Sequence, residues 1–166
     1  MARLILLRHA KSDYPPGVPD HERPLSARGR ANADTIASRI LEAIPPGWSL
    51  GAAVSTAART QETWARIQVG IPAVAQHWND AALYLAEPAT IAETAACFTT
   101  DAGIIVGHNP GIGELAESIP AAREQIAEEM AHRFPTATFA VIDTGTTPLA
   151  RWQPEDATCI DFVKCR

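Results

Sequence analysis

Short apolar runs alternate along this chain with stretches of helical periodicity, and this alternation limits the folds that it can adopt. Runs at residues 4–7, 50–54 and 103–106 are typical of strands buried on both faces of a sheet. From Ala33 to Ile44, apolar residues recur at three- and four-residue steps, as on one face of an amphipathic helix. Strands that alternate with helices build a parallel sheet covered on both faces. The sequence therefore predicts an α/β protein with three layers, in which helices cover both sides of a mostly parallel sheet.

The remaining elements follow from the same patterns and from turn residues. Ser26 is a candidate N-cap for the first helix, whose apolar face is predicted to include Leu41, and Pro45 and Pro46 end that helix. Further helices are predicted over residues 57–68, 88–98, near 111 and over 123–133, and further strands over 73–78, 138–143, 148–153 and 158–164. The last three strands are predicted to add antiparallel to the sheet edge. All 166 residues are predicted to form a single domain.

Composition and charge exclude several classes of protein. The formal net charge is −5, which argues against a nucleic-acid or membrane-surface partner, because such proteins normally present a basic face. Arg8 interrupts the first apolar run, so that run is expected to be neither a signal peptide nor a membrane span. The three cysteines have no metal-ligand spacing and are expected to be free thiols. The expected location is the cytoplasm.

Polar side chains follow each of the first four predicted strands. Arg8 and His9 close the first strand, Arg59 follows the second, Asp80 follows the third and His108 follows the fourth. In open parallel sheets, ligands bind beyond the carboxyl ends of the strands. We therefore expect two histidines, two arginines and one aspartate to meet at one edge of the sheet.

These residue types favour phosphoryl transfer. A neutral imidazole is a good nucleophile near neutral pH, and a phosphorylated nitrogen is a labile intermediate that water can hydrolyse. Arg8 and Arg59 match the oxygens of a phosphoryl group, and a protonated His108 could add a third cationic donor. Asp80 is the predicted proton donor to the leaving group, with Glu87 in reserve, because both lie after the third strand. No metal site and no cofactor is predicted, since paired arginines would repel a cation.

The same residues lie in motifs of a known family. The run R-H-A-K-S at residues 8–12 resembles the R-H-[GA] signature of the histidine phosphatase (phosphoglycerate mutase-like) superfamily. Other segments resemble its small SixA-type phosphohistidine phosphatase branch: R-P-L-S-A-R-G at 23–29, S-T-A-A-R-T-Q-E-T at 55–63, L-Y at 83–84 and V-G-H-N-P at 106–110. The similarity follows the family's order and extends from Leu4 to about Val141.

This resemblance implies a phosphoglycerate mutase-like fold and a role for each matched residue. His9 matches the nucleophile that becomes phosphorylated, and Arg8, Arg59 and His108 match the rest of the phosphate pocket. Larger relatives carry a glutamate as proton donor, and its position falls on or near Asp80. Asp20 and Arg23 are expected to form only a structural pair that holds the first loop.

The favoured function is a metal-independent phosphohydrolase that acts through phospho-His9 on a phosphorylated protein, in particular on phosphohistidine. Two alternatives stay open: a phosphatase for a small phosphorylated metabolite, and a phosphoprotein-binding module without turnover. A mutase is the least favoured reading, because the sequence offers few extra basic residues for a second phosphate.

Overall fold

The computed structural model describes residues 1–71 and 73–165, which form a six-stranded sheet with helices on both faces. The strands are β1 (Arg3–Arg8), β2 (Leu50–Ser55), β3 (Gln76–Asp80), β4 (Ala102–Gly107), β5 (Thr138–Asp143) and β6 (Thr158–Lys164). The helices are α1 (Ala27–Ala43), α2 (Ala58–Gly70), α3 (Pro88–Ala95), α4 (Gly111–Ser118) and α5 (Glu124–His132). This architecture confirms the predicted three-layer α/β class.

The strand order is β3-β2-β4-β1-β5-β6. The pairs β1–β4, β2–β4 and β2–β3 are parallel, whereas β5 pairs antiparallel with both β1 and β6. The parallel part of the sheet is built from the first two thirds of the chain, and the last third adds to its edge. Both features confirm the sequence prediction.

Each face of the sheet has its own apolar core. Leu4 and Leu6 of β1 belong to the core beneath α3, α4 and α5, whereas Ile5 and Leu7 belong to the core beneath α1 and α2. Successive side chains of a strand point to opposite faces, so a strand buried on both sides must be continuously apolar. All four side chains are fully buried, which explains the uninterrupted apolar run of this strand.

The start of α1 is fixed by its cap and by a glycine. The Ser26 hydroxyl accepts a hydrogen bond from the Gly29 amide at 3.0 Å, which confirms the predicted N-cap. The Lys11 carbonyl accepts a hydrogen bond from the Ser26 amide at 2.9 Å and lies directly against the first turn of the helix. A Cβ atom at residue 29 would lie 1.9 Å from that carbonyl oxygen, so only glycine fits. The loop after β1 is thereby held against α1.

Three predictions about the elements are wrong. The strand predicted at 148–153 is a short 3-10 helix, because Leu149 and Trp152, three residues apart, both turn into one core. The third strand begins at Gln76 rather than at residue 73, and its burial alternates as expected of an edge strand. Leu41 was predicted to belong to the apolar face of α1, but its side chain is 42% exposed. The last residue of the helix that is buried in the core is Ile40.

Two further expectations concern thiols and membranes. The three cysteines carry free thiols, as predicted, and only Cys97 is exposed. Burial raises the pKa of both Cys159 and Cys165 to about 11, so neither is a reactive thiolate at neutral pH. In the part of the chain that the structure describes, no helix is long and apolar enough to cross a membrane.

We expect Gly29→Ala to lower the free energy of unfolding by about 1–3 kcal/mol, because the added methyl group must displace the Lys11 carbonyl. Gly113→Ala is the matched control, since its Cβ would meet ordinary contacts of 3.4 Å or more. In that helix alanine should be neutral or stabilise by about 0.5 kcal/mol. Urea unfolding measures both changes, and equal stabilities of the two variants would contradict the packing argument.

Candidate active site

The carboxyl ends of β1, β2 and β4 meet at one edge of the sheet. Arg8 pairs with Gly107 in the parallel register of β1 and β4, so the next residues, His9 and His108, lie side by side. Their ring centroids are 5.2 Å apart, and the His9 amide donates to the Gly107 carbonyl at 3.1 Å. The structure thus brings together the two histidines that the sequence analysis placed at this edge.

His9 is buried, and its two ring nitrogens have different partners. Nδ1 lies 2.7 Å from the Ala10 carbonyl, which can only accept, so Nδ1 carries the proton. Nε2 accepts a hydrogen bond from Nε of Arg59 at 3.3 Å. The lone pair of Nε2 is therefore the free electron pair of this ring, and it faces the arginine.

The surroundings of His9 keep its ring neutral. Burial is the main cause that lowers the pKa of His9 to about 3, and the hydrogen bond to Ala10 opposes this shift. His108, Arg59 and Arg8 lower the pKa of His9 further, and the two guanidinium charges do so because they disfavour another positive charge nearby. At neutral pH the ring therefore holds an unprotonated nitrogen.

His108 is also buried and neutral. Its Nε2 lies 2.8 Å from the Ser55 hydroxyl at the end of β2, and its Nδ1 has no hydrogen-bond partner within the described residues. Burial, followed by the charge of Arg59, lowers the pKa of His108 to about 3. This corrects the expectation of a protonated His108. If the Ser55 hydroxyl donates to Nε2, the proton of the ring resides on Nδ1.

Arg59 is held from two sides. Its guanidinium donates to His9 on one side, and on the other to the backbone carbonyl of Asp20 at 2.7 Å and to the Asp20 carboxylate at 3.1 Å. Only 4% of this arginine is exposed. The loop that carries Asp20 therefore fixes the direction in which Arg59 presents its remaining N–H groups.

Asp20 connects more side chains than the expected pair with Arg23. The Arg23 pair is present at 2.8 Å, but the carboxylate also accepts a hydrogen bond from the Tyr84 hydroxyl at 2.5 Å. The Tyr84 hydrogen bond, followed by that from Arg59, lowers the pKa of Asp20 to about 2. His21, next in the chain, packs edge-on against Tyr84 and lies 2.9 Å from the Thr56 hydroxyl.

Sequence reasoning gave no site role to these loop residues. Asp20 and His21 lie in a segment whose sequence has no helical or strand periodicity and which the structure folds into a short 3-10 helix. Tyr84 was noted only as part of a motif. The partners in these contacts are distant in sequence, with a separation of 35 residues between His21 and Thr56 and of 64 between Asp20 and Tyr84. Only the folded loop brings them together.

The side chains at this edge enclose a small cavity of about 160 Å³. Six basic or imidazole side chains contribute to its wall: Arg8, His9, Lys11, Arg23, Arg59 and His108. None of the lining residues is an aspartate or a glutamate. Among the described residues, no group of three or more His, Cys, Asp or Glu side chains could hold a metal ion. The cavity suits a small anion such as a phosphoryl group.

The predicted proton donors lie elsewhere. Asp80 ends β3, and its carboxylate accepts a hydrogen bond from the Ala82 amide at 2.9 Å, which caps a short 3-10 helix. Glu87 is exposed at the start of α3. Neither residue is among those that line the cavity. The structure thus brings together His9, Arg8, Arg59 and His108 but not Asp80.

Known proteins resemble the chain over almost its whole length. An uncharacterized protein from Mycobacterium tuberculosis is 34% identical over 163 residues, which cover 95% of this chain and 96% of that protein. An uncharacterized protein from Mycobacterium leprae is 30% identical over 165 residues, with coverages of 95% and 96%. No protein-family model matches the chain.

Solved structures share the fold. A protein from Nakamurella multipartitia, assigned as the phosphohistidine phosphatase SixA, superposes with a TM-score of 0.81 at 25% identity, covering 99% of this chain and 96% of that one. A second, from Agrobacterium tumefaciens and assigned in the same way, gives 0.74 at 28% identity, with coverages of 98% and 97%. A protein from Escherichia coli, assigned as an α-ribazole-5'-phosphate phosphatase, superposes with a TM-score of 0.60 at 17% identity, covering 94% of this chain and 98% of that one. At this identity the similarity shows the fold alone.

We expect stability to fall as the pH is lowered. An imidazole in the unfolded chain titrates near pH ~6.5, whereas burial lowers the pKa of His9 and His108 to about 3 in the folded state. Between these values the unfolded chain binds protons that the folded protein does not. Each histidine should then lower the free energy of unfolding by up to about 1.4 kcal/mol per pH unit below ~6.5.

Urea unfolding between about pH 7 and about pH 5 measures this slope. His9→Gln should make the slope shallower, because one of the two buried imidazoles is gone. His132→Gln, at an exposed position of α5, is the control and should keep the slope of the unaltered protein. A stability that does not change over this pH range would refute the assignment of two buried neutral rings.

Proposed function

The chain belongs to the histidine phosphatase (phosphoglycerate mutase-like) superfamily, in its small SixA-type branch, and from this premise we propose that it is a phosphohistidine phosphatase acting through His9. Its fold is phosphoglycerate mutase-like, as the resemblance in sequence implied. As a member of this family it is a phosphatase and thus a hydrolase. The substrate, the roles of individual residues and the independence from metals are parts of our proposal.

The observation that carries the proposal is the state of His9. Its ring is buried and neutral, its proton lies on Nδ1, and its Nε2 lone pair borders a cavity walled by cations. A nucleophile toward phosphorus needs an unprotonated nitrogen and a positive surrounding that accepts the phosphoryl charge. Both conditions meet at this one atom.

The other three residues hold the phosphoryl group. Arg59 already points an N–H at Nε2 of His9, and on substrate binding that N–H turns to a phosphoryl oxygen. Arg8 lines the same cavity, with one guanidinium nitrogen anchored to the Phe134 carbonyl at 2.8 Å. Neutral His108 donates from Nδ1, the nitrogen that is left without a partner within the described residues.

The reaction has two steps. Nε2 of His9 attacks phosphorus, the bond from phosphorus to the leaving nitrogen or oxygen breaks with its electron pair, and the leaving group takes up a proton. Water then attacks the phosphorus of phospho-His9, the P–N bond breaks with its electron pair returning to Nε2, and one proton of the water passes to solvent. This step releases inorganic phosphate and restores the neutral imidazole. Arg8, Arg59 and His108 stabilise the negative charge on the phosphoryl oxygens in both transition states.

The position of the carboxylates favours phosphohistidine as the substrate. An alkyl phosphate needs a strong proton donor, because an alkoxide is a poor leaving group. Neither Asp80 nor Glu87 lines the cavity. A phosphohistidine whose other ring nitrogen has taken up a proton from solvent releases a neutral imidazole, so it needs no carboxylic acid in the cavity. The names assigned to two similar structures agree with this substrate class. A small phosphorylated metabolite is the second candidate, favoured by the small volume of the cavity.

Trapping of the intermediate tests the proposal. We expect the purified protein, kept in EDTA, to hydrolyse an aryl phosphate and a phosphohistidine protein and to carry acid-labile, base-stable phosphate. His9→Ala should lose both turnover and labelling, because no other nitrogen occupies that position. His132→Ala, which changes an exposed histidine, is the control.

Near-normal turnover by His9→Ala would refute the assignment of His9 as the nucleophile, and activity lost in EDTA would refute metal independence. Phosphoprotein binding without any turnover would favour the binding module.

Arg59→Ala should reduce kcat/KM on the order of a hundredfold or more, if the guanidinium stabilises charge in the transition state. Arg66→Ala, on the same helix and paired with Asp34 at 2.8 Å, should change it less than about twofold. Circular dichroism checks that both variants fold. A loss of only about twofold in folded Arg59→Ala would place this arginine outside the phosphate pocket.

A further inference from the structure

A second cavity adjoins the one at His9 and is also basic. It has a volume of about 240 Å³, and its wall contains the side chains of Arg8, Lys11, Arg28 and Arg133. Arg8 and Lys11 line both cavities, so the two share one wall. No aspartate or glutamate is among the residues that line the second cavity. Four cations therefore surround this space in a chain whose net charge is −5.

These cations have no carboxylate partner among the described residues. The ion pairs of that part of the chain involve other arginines and one other lysine, and none includes Arg8, Lys11, Arg28 or Arg133. Nε of Arg8 is buried without a hydrogen-bond partner. Burial and then the charge of Arg133 lower the pKa of Arg8, as expected for like charges that face each other. No carboxylate of the described residues therefore pairs with the cations of this cavity.

Three separate segments of the fold position the cations. Arg28 lies in the first turn of α1, where no acidic residue offsets the positive end of the helix, and Asn32 extends the same face by one turn. Arg133 directly follows α5. The Phe134 carbonyl, one residue further, accepts hydrogen bonds from Arg8 and from the side-chain amide of Asn109, which fixes Arg133 beside the phosphate pocket.

We propose that this cavity is a second anion-binding subsite, in which Arg28, Arg133 and Lys11 hold a carboxylate or phosphate carried by the substrate beside its reacting phosphoryl group. Arg8 lies between the two anions and faces both. Guanidinium groups bind either anion through paired N–H groups, and an amide such as that of Asn32 can donate alongside them. The sequence analysis found few basic residues for a second anion. It did not identify these residues because they are distant in sequence and come together only in the fold.

The inference rests on the proposed function and specifies its substrate class. For a phosphohistidine protein, the second anion is an acidic side chain close to the phosphohistidine. For a small molecule, it is a second phosphate. A substrate with one phosphoryl group and no further charge leaves the subsite without a partner, so the protein should prefer substrates with two anions. The preference should appear mainly in KM, because the second anion binds equally in ground and transition states.

The test compares matched substrates. Two phosphohistidine peptides differ only in Glu against Gln at the flanking positions, and an alkanediol bisphosphate is compared with the corresponding monophosphate. We expect a preference of about tenfold in kcat/KM for the substrate with two anions. The Arg28→Gln/Arg133→Gln double variant should bring this ratio toward one. Arg151→Gln, an exposed arginine remote from this wall, should keep the ratio of the unaltered protein.

Binding separates this inference from the proposed function. His9→Ala removes the nucleophile but keeps the four cations, so isothermal titration should show the same preference as a ratio of Kd values. Preferential binding by a protein that turns over no substrate would uphold the subsite and refute the phosphatase mechanism. Turnover with equal kcat/KM for both pairs of substrates would refute the subsite alone. A preference for the bisphosphate but not for the Glu peptide would assign the second anion to a phosphate.

Discussion

The register between β1 and β4 is the constraint on which the site depends. Because Arg8 lies opposite Gly107, the first residues beyond the two strands are the two histidines, and their rings meet at 5.2 Å. A shift of one residue would turn the side chains of a strand to the opposite face and separate these rings. The same shift would move Arg3 or Arg8, the charged residues at the two ends of β1, into a position that is buried on the sheet. The packing that stabilises the fold thus also fixes the distance between His9 and His108.

The strands position the side chains of the site, and the loops determine the charge around them. Gly29 lets the Lys11 carbonyl lie against α1, and the chain between them carries Asp20 to the far side of Arg59. There the carboxylate orients the guanidinium without lining the cavity. A carboxylate inside the cavity would raise the pKa of His9 and repel a phosphoryl group. Position, rather than the number of acidic residues, therefore decides the local charge.

Sequence patterns predicted the elements whose periodicity is set by burial, and they failed where tertiary contacts decide. The buried strands and the Ser26 cap have local signals, so they were predicted correctly. Residues 148–153 were predicted as a strand, but the backbone turns to bury Leu149 and Trp152 together. The motif residues that approach each other were found because parallel strand ends share an edge. No comparable rule predicts the partners of Asp20 from the sequence, because the path of the segment that carries it depends on contacts formed only after folding.

The neutral ring of His9 and the basic wall share one contributing cause, beside the burial that mainly lowers the pKa of His9. Neither cavity is lined by a carboxylate, and Arg8, which has no ion-pair partner among the described residues, faces Arg133 on one side and Arg59 on the other. Like charges at such positions lower stability, and the fold retains them although its surface is acidic overall. Functional sites commonly keep arrangements that a more stable protein would replace. A carboxylate that relieved the repulsion at Arg8 would also favour protonation of His9. The repulsion and the neutral state of the imidazole are therefore coupled through the same guanidinium groups.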